Sequence, residues 1–237
     1  SAERRKLEHA TRANERAGSL LRLRSMNDAD DPVGIGRREG ALVAWIDPSL
    51  AARGTTLDHA QIAALERLQQ LATELEAFRA ARRSALKKIF SPPPVPRGVY
   101  LFGGVGRGKS FLMDAFFSTV AIKRKARIHF HAFMRDVHEE LAELKHEADP
   151  LATVAARISR KWRLICFDEF HVSDIADAMI LGRLLSALFK NGVVFVMTTN
   201  YAPDGLWPDG IQRERFLPTI ALIKEWLHVI EVDAGID

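Results

Sequence analysis

The chain has 237 residues, 47% of them hydrophobic and 27% charged, which is enough apolar mass for one α/β core with an appendage. Its formal charge of +4 permits attraction to nucleic acid or anionic lipid without requiring either. Cys166 is the only cysteine, so no intrachain disulfide can form and a reducing compartment such as the cytoplasm is expected. No apolar run approaches the ~20 residues of a membrane span.

Little regular structure is expected in the first fifty residues, where Asn27-Asp28-Ala29-Asp30-Asp31-Pro32 and Gly34-Ile35-Gly36 mark loops. Arg4, Arg5, Lys6, Arg12, Arg16, Arg22 and Arg24 form a basic cluster there. Glu3, Glu8 and Glu15 interrupt it, which fits a solvated face better than a transit peptide. From Thr56 to about Arg83, the residues Ile62, Leu65, Leu68, Leu71, Leu75 and Phe78 recur at helical spacing and predict one long amphipathic helix. Ser91-Pro92-Pro93-Pro94-Val95-Pro96 ends it, because proline lacks the N–H that helix and sheet need. Residues 1–96 therefore read as a helical N-terminal region with a stiff connector, and 97–237 as the core.

The core opens on Val99-Tyr100-Leu101-Phe102, a short apolar run of strand type. It leads into Gly103-Gly104-Val105-Gly106-Arg107-Gly108-Lys109-Ser110. That run matches G-x-x-x-x-G-K-[ST], the phosphate-cradling loop, at every fixed position. A triphosphate needs several N–H donors converging on its oxygens, and only a loop with little Cβ bulk lets the backbone approach them. Lys109 is expected to place its charge at the β and γ phosphates. The Ser110 hydroxyl is expected to hold Mg²⁺, and the helix that continues through Phe111 to add its dipole. A glycine-rich turn that binds nothing has no need of Lys and Ser in that order. Leu112, Met113, Phe116, Phe117 and Val120 suit a largely buried helix.

A strand is predicted over Arg127-Ile128-His129-Phe130-His131, then a helix carrying Phe133, Val137, Leu141 and Leu144. Leu164-Ile165-Cys166-Phe167 next reads as a buried strand that delivers Asp168 and Glu169 to the edge of a sheet. Asp168 is expected to bind Mg²⁺, directly or through water, and Glu169 to orient and polarise the attacking water. Ser173 or Asp174 caps a helix that Asn191-Gly192 ends. The strand Val193-Val194-Phe195-Val196-Met197 runs into Thr198-Thr199-Asn200. Asn200 there is placed to contact the γ-phosphate or the water, although Asn after a strand is also an ordinary turn residue. A Pro/Gly-rich loop, a helix around Phe216 to Trp226 and a last strand His228-Val229-Ile230-Glu231-Val232 complete the chain. This order predicts an α/β P-loop core with a mostly parallel sheet flanked by helices. His129, His131, His138 and His171 lack the spacing of a known zinc site, and core or surface roles account for them.

Several of these segments together resemble the ZapE group of AFG-like ATPases. They are Arg97 to Ser110, His129-Phe130-His131-Ala132-Phe133-Met134, Cys166-Phe167-Asp168-Glu169-Phe170 with Ser173-Asp174-Ile175, and Gly210-Ile211-Gln212-Arg213 with Phe216-Leu217-Pro218. The resemblance covers roughly Leu57 to the end. It implies an AAA-type ATPase that uses ATP and Mg²⁺, assembles into a homo-oligomer, and is associated peripherally with the inner membrane in bacteria. It also implies a role beside the tubulin-like division protein FtsZ, or in membrane protein quality control, the mitochondrial members being linked to turnover of respiratory subunits. By position, Arg213 looks like the arginine finger given to a neighbouring subunit's γ-phosphate, with Arg215 its rival. The chain stops at Asp237 where the family continues, so a further C-terminal region is expected. The function implied is ATP hydrolysis coupled to remodelling of a protein partner. Two alternatives use the same core: a nucleic-acid-binding helicase loader, which the basic clusters would serve, and a small-molecule kinase, which the water-activating Glu169 fits less well.

Overall fold

The computed structural model describes residues 42–46, 56–83 and 93–232. The first basic cluster, the loops near residue 30 and the chain end therefore lie outside the described residues. After a short helical turn at 42–46 come α1 (His59–Arg83), β1 (Gly98–Phe102), α2 (Lys109–Thr119), β2 (Lys125–His129), α3 (Phe130–Glu143) and α4 (Pro150–Lys161). Then follow β3 (Leu164–Asp168), α5 (Ile175–Lys190), β4 (Val194–Thr199), a 3₁₀ turn (Pro203–Gly205), α6 (Arg213–Trp226) and β5 (Leu227–Glu231). The five strands form one sheet in the order β2-β3-β4-β1-β5, and every pairing is parallel. Parallel strands need crossover connections, and the helices that provide them cover both faces.

Strand alternation sorts the core into two halves. Val99 and Leu101 of β1, Leu164 and Cys166 of β3, and Val194 and Val196 of β4 pack with α1 and α2. Tyr100, Ile165, Phe167, Phe195 and Met197 face α3, α4, α5 and α6, as a period of two requires. Although α1 lies N-terminal to the connector, its fully buried Leu68 and Leu71 belong to the same cluster as β1 and α2. Each such leucine contributes about 1.5–3 kcal/mol by leaving water. Burial also pushes the Cys166 thiol well above its ordinary pKa, which leaves it a core residue rather than a nucleophile. Gly98 is required by contact, since a Cβ there would stand 2.0 Å from the Phe195 carbonyl oxygen.

Several expected boundaries move. β2 occupies Lys125–His129 rather than 127–131, because the buried alternation Ala126, Ile128, Phe130 continues into the first helical residue. His129 therefore ends a strand while His131 lies in the first turn of α3, so the two do not share a strand face. Ile62 is 40% exposed, so the apolar stripe of α1 starts at Leu65. α6 begins at Arg213 rather than near Phe216, and β4 and β5 lie at Val194–Thr199 and Leu227–Glu231. The sequence reading missed α4, although its signals were present. Asp149 caps it by accepting the Ala152 N–H, Pro150 occupies the first turn, and Leu151, Val154, Ala155 and Ile158 are buried at the spacing of one helix face.

Candidate active site

The phosphate loop joins the C-terminal end of β1 to the N-terminus of α2. Gly106 and Gly108 have φ of 79° and 80°, left-handed values that glycine adopts without strain. The loop is braced from outside by α1. Asp58 and Gln61 form a reciprocal cap: the Gln61 N–H donates to Asp58 Oδ1 at 2.7 Å and the Asp58 N–H to Gln61 Oε1 at 3.1 Å. The held Gln61 amide then donates to the Arg107 carbonyl at 3.0 Å. Lys109 is 7% exposed. Its ammonium donates to the carbonyls of Gly103 at 2.7 Å and Gly104 at 2.6 Å, and to Asn200 Oδ1 at 3.2 Å. One cation thus gathers the loop and the end of β4.

Asp168 closes the opposite wall. Its Oδ1 accepts from the Ser110 hydroxyl at 3.2 Å and the Thr198 hydroxyl at 2.9 Å, and its Oδ2 accepts from Arg127 at 2.7 Å. The other arm of Arg127 pairs with Asp114. Burial works to raise the Asp168 pKa, but the bonds from Thr198 and Arg127, the Arg127 charge and the Ser110 bond outweigh it. The carboxyl is held below its ordinary value. At Asp114 burial wins over Arg127, and Asp168 adds repulsion, so that carboxyl lies above the ordinary value. Because Ser110 directs its proton to Asp168, its lone pairs remain for a cation. Hydroxyl and carboxylate oxygens suit Mg²⁺, which is held by a few protein oxygens together with substrate phosphates. Among the described residues, no group of three or more His, Cys, Asp or Glu side chains could hold a metal ion.

Glu169 is exposed and has φ of 54°, a conformation that non-glycine residues adopt at local cost and that clusters at functional sites. Its N–H donates to the Thr198 hydroxyl at 3.4 Å, so Thr198 ties both acidic residues to β4. Sequence reasoning passed over Thr198, Gln61 and the role of Arg127, which it placed only at the start of a strand. The residue next to a strand's end and an arginine between the buried Ala126 and Ile128 of β2 were the available signals. The structure brings the phosphate loop, Asp168, Glu169 and Asn200 together at one edge of the sheet. Arg213 stands elsewhere. Its guanidinium donates to the carbonyls of Leu206 at 2.7 Å, Trp207 at 2.9 Å and Asp204 at 2.8 Å, which pins the loop before α6. Arg215 is exposed. The histidines are scattered: His138 lies 2.7 Å from Asp177 and His171 stacks on Tyr201 at 5.0 Å.

A parallel sheet whose first strand delivers G-x-x-x-x-G-K-S to a helix N-terminus, and whose acidic strand meets it across β4, is a P-loop NTPase core. Residues 42–237 match the family model described as AFG1-like ATPase. The chain belongs to that family. It is 52% identical over 141 residues to the cell division protein ZapE of Escherichia coli K12, covering 60% of this chain and 38% of that protein. It is 46% identical over 158 residues to lactation elevated protein 1 homolog B of Danio rerio, covering 62% and 31%. The chain thus spans well under half the length of these relatives. Among solved structures, DnaI overlaps at 21% identity and a TM-score of 0.44, covering 68% of this chain and 82% of that one. Domain III of the Thermotoga maritima replication initiation protein DnaA overlaps at 16% and 0.44, covering 66% and 61%. At these scores the overlaps add nothing to the argument.

Proposed function

We propose that this chain is an AAA-type ATP-hydrolysing core that works with Mg²⁺, and that in the intact protein hydrolysis remodels a protein partner during cell division. The observation that carries the chemistry is the hydrogen bond from Ser110 to Asp168 beside the buried Lys109. It joins the phosphate loop to the acidic strand and leaves the serine lone pairs directed outward. Mg²⁺, when bound, would supply positive charge to the phosphates. Backbone N–H groups from Gly103 to Gly108 and the Lys109 ammonium bind the phosphates. Ser110 would contribute its oxygen to the cation, and Asp168, already carrying three hydrogen bonds, would hold it directly or through water. Glu169 takes the role of polarising the attacking water, and Asn200, held by Lys109, orients the γ-phosphate or that water. The trans-acting arginine is proposed at the start of α6. Arg213 is engaged with its own loop and Arg215 is exposed, so Arg215 is the more available finger in a homo-oligomer.

The division role rests on the name of the E. coli relative, and FtsZ is the partner that the family resemblance implies. A role in membrane-protein turnover, with peripheral attachment to the membrane, is the alternative within the same family. No described helix is long and apolar enough to cross a membrane. Four of the described basic residues count against the helicase-loader reading. Arg79, Arg97, Arg124 and Lys125 donate to backbone carbonyls of their own chain, so these cations serve the fold. The test is phosphate release from ATP with Mg²⁺ and no added acceptor. Glu169→Gln should retain ATP binding and lose turnover. Unchanged turnover in that variant removes Glu169 from the role, and release only with an acceptor makes the protein a kinase.

A further inference from the structure

We infer that Tyr100 is a positioning residue that holds Asn200 and Glu169 in register with the phosphate loop; this rests on the reading of those two residues as the groups that handle water. Tyr100 lies on β1, three residues before Gly103, and is fully buried. A phenol in that position costs free energy unless its hydroxyl is bonded, and phenylalanine would pack as well. The hydroxyl is bonded, and to one short segment. It donates to the Tyr201 carbonyl at 2.9 Å. The Tyr201 N–H returns to the Thr199 hydroxyl at 3.3 Å. Asn200 therefore lies between two residues that a hydrogen bond ties together, one of them bonded in turn to the strand that carries the phosphate loop. Burial pushes the phenol pKa far above its ordinary value, so the hydroxyl stays a donor across the physiological pH range.

The same ring reaches the other water-side group. It packs edge-on against Phe170 at 6.1 Å and 78°, and Phe170 directly follows Glu169. The Phe170 N–H donates to the Thr198 carbonyl at 2.8 Å, and Tyr201 stacks on His171. The ends of β1, β3 and β4 are thus linked through one side chain that touches no catalytic atom itself. A network of this kind transmits a small displacement at the phosphate loop to both neighbours, because packed aromatic contacts and bonded loops do not deform independently.

Tyr100→Phe tests this, since it keeps the ring and removes the hydroxyl. It should lower kcat for ATP about tenfold, the size of one hydrogen bond, with ATP affinity within twofold of the parent. Hydrogen exchange at the Tyr201 amide should accelerate. Thr199→Val, which removes the hydroxyl that the Tyr201 N–H bonds, should do the same, and serves if Tyr100→Phe folds poorly. In an Asn200→Ala background, Tyr100→Phe should change kcat less than twofold, because the residue that the hydroxyl positions is gone and the ring contact with Phe170 is kept. Multiplying losses in that double variant, or a fall in affinity parallel to kcat, overturns the proposal. Unchanged exchange at Tyr201 overturns it whatever the activity. If Asn200→Ala itself leaves hydrolysis intact while exchange at Tyr201 still responds, the role given to Asn200 fails and the positioning stands.

Discussion

Arg127 offers the sharpest measurement of what the site's electrostatics contribute to the fold. Replacing it with methionine keeps a long apolar stem and removes the cation bonded to Asp168. The paired side chains are 19% and 11% exposed, and breaking a buried pair by deleting one partner costs about 3–5 kcal/mol. Asp168 keeps its bonds from Ser110 and Thr198, and Asp114 is 38% exposed and can rehydrate. The expected loss at pH 7 is therefore roughly 2–4 kcal/mol, or a fall in Tm of roughly 4–16 °C for a chain of this size. The pH dependence has a definite sign. Asp168 titrates below its ordinary value in the folded state, so its contribution is full above the unfolded pKa near 3.9 and is lost as pH falls through the folded pKa. Removing Arg127 raises that folded pKa. The difference between parent and variant should be largest near neutrality and shrink in acid, where a protonated carboxyl needs no cation. Urea unfolding at pH 7 and at successively lower pH measures both effects. A loss at pH 7 below about 0.5 kcal/mol, or one that grows in acid, refutes the reasoning.

Lys109→Ala removes a charge-assisted donor of about 1.5–3 kcal/mol per bond, so calorimetry should show ATP affinity falling at least about a hundredfold; unchanged affinity removes Lys109 from the phosphate site. Arg213→Ala should destabilise the protein by about 2 kcal/mol through its three lost carbonyl contacts. Arg215→Ala should leave the Tm unchanged yet abolish the rise of specific activity with protein concentration. If instead Arg213→Ala folds at parental stability and loses only turnover, the finger is Arg213. Gly182→Ala places a Cβ 2.4 Å from Thr219 Oγ1 and should cost about 1–3 kcal/mol by overpacking the α5–α6 contact; thermal unfolding of the Gly182→Ala, Thr219→Ala pair should recover part of that loss.

The sequence by itself determined the groups whose chemistry is local. A loop that must approach phosphate needs glycines, a lysine and a serine or threonine at fixed positions, and a strand buried on both faces reads as an unbroken apolar run ending in its acids. Gly103 to Ser110, Asp168 and Glu169 were therefore legible as candidates without a structure, as were all five strands to within two residues. Tertiary structure decided what depends on neighbours distant in sequence. Arg127 looked like one of several basic residues until the β2–β3 register set it beside Asp168. Gln61 looked like the polar face of a helix until α1 packed on the phosphate loop, and Tyr100 looked like core until β4 brought Tyr201 to its hydroxyl. Arg213 shows the converse case, since its motif position suggested a partner in another subunit while folding supplied three carbonyls in its own. Local spacing encodes which atoms a segment can present; the partner each atom meets is chosen by strand order and helix packing, which no short window of sequence contains.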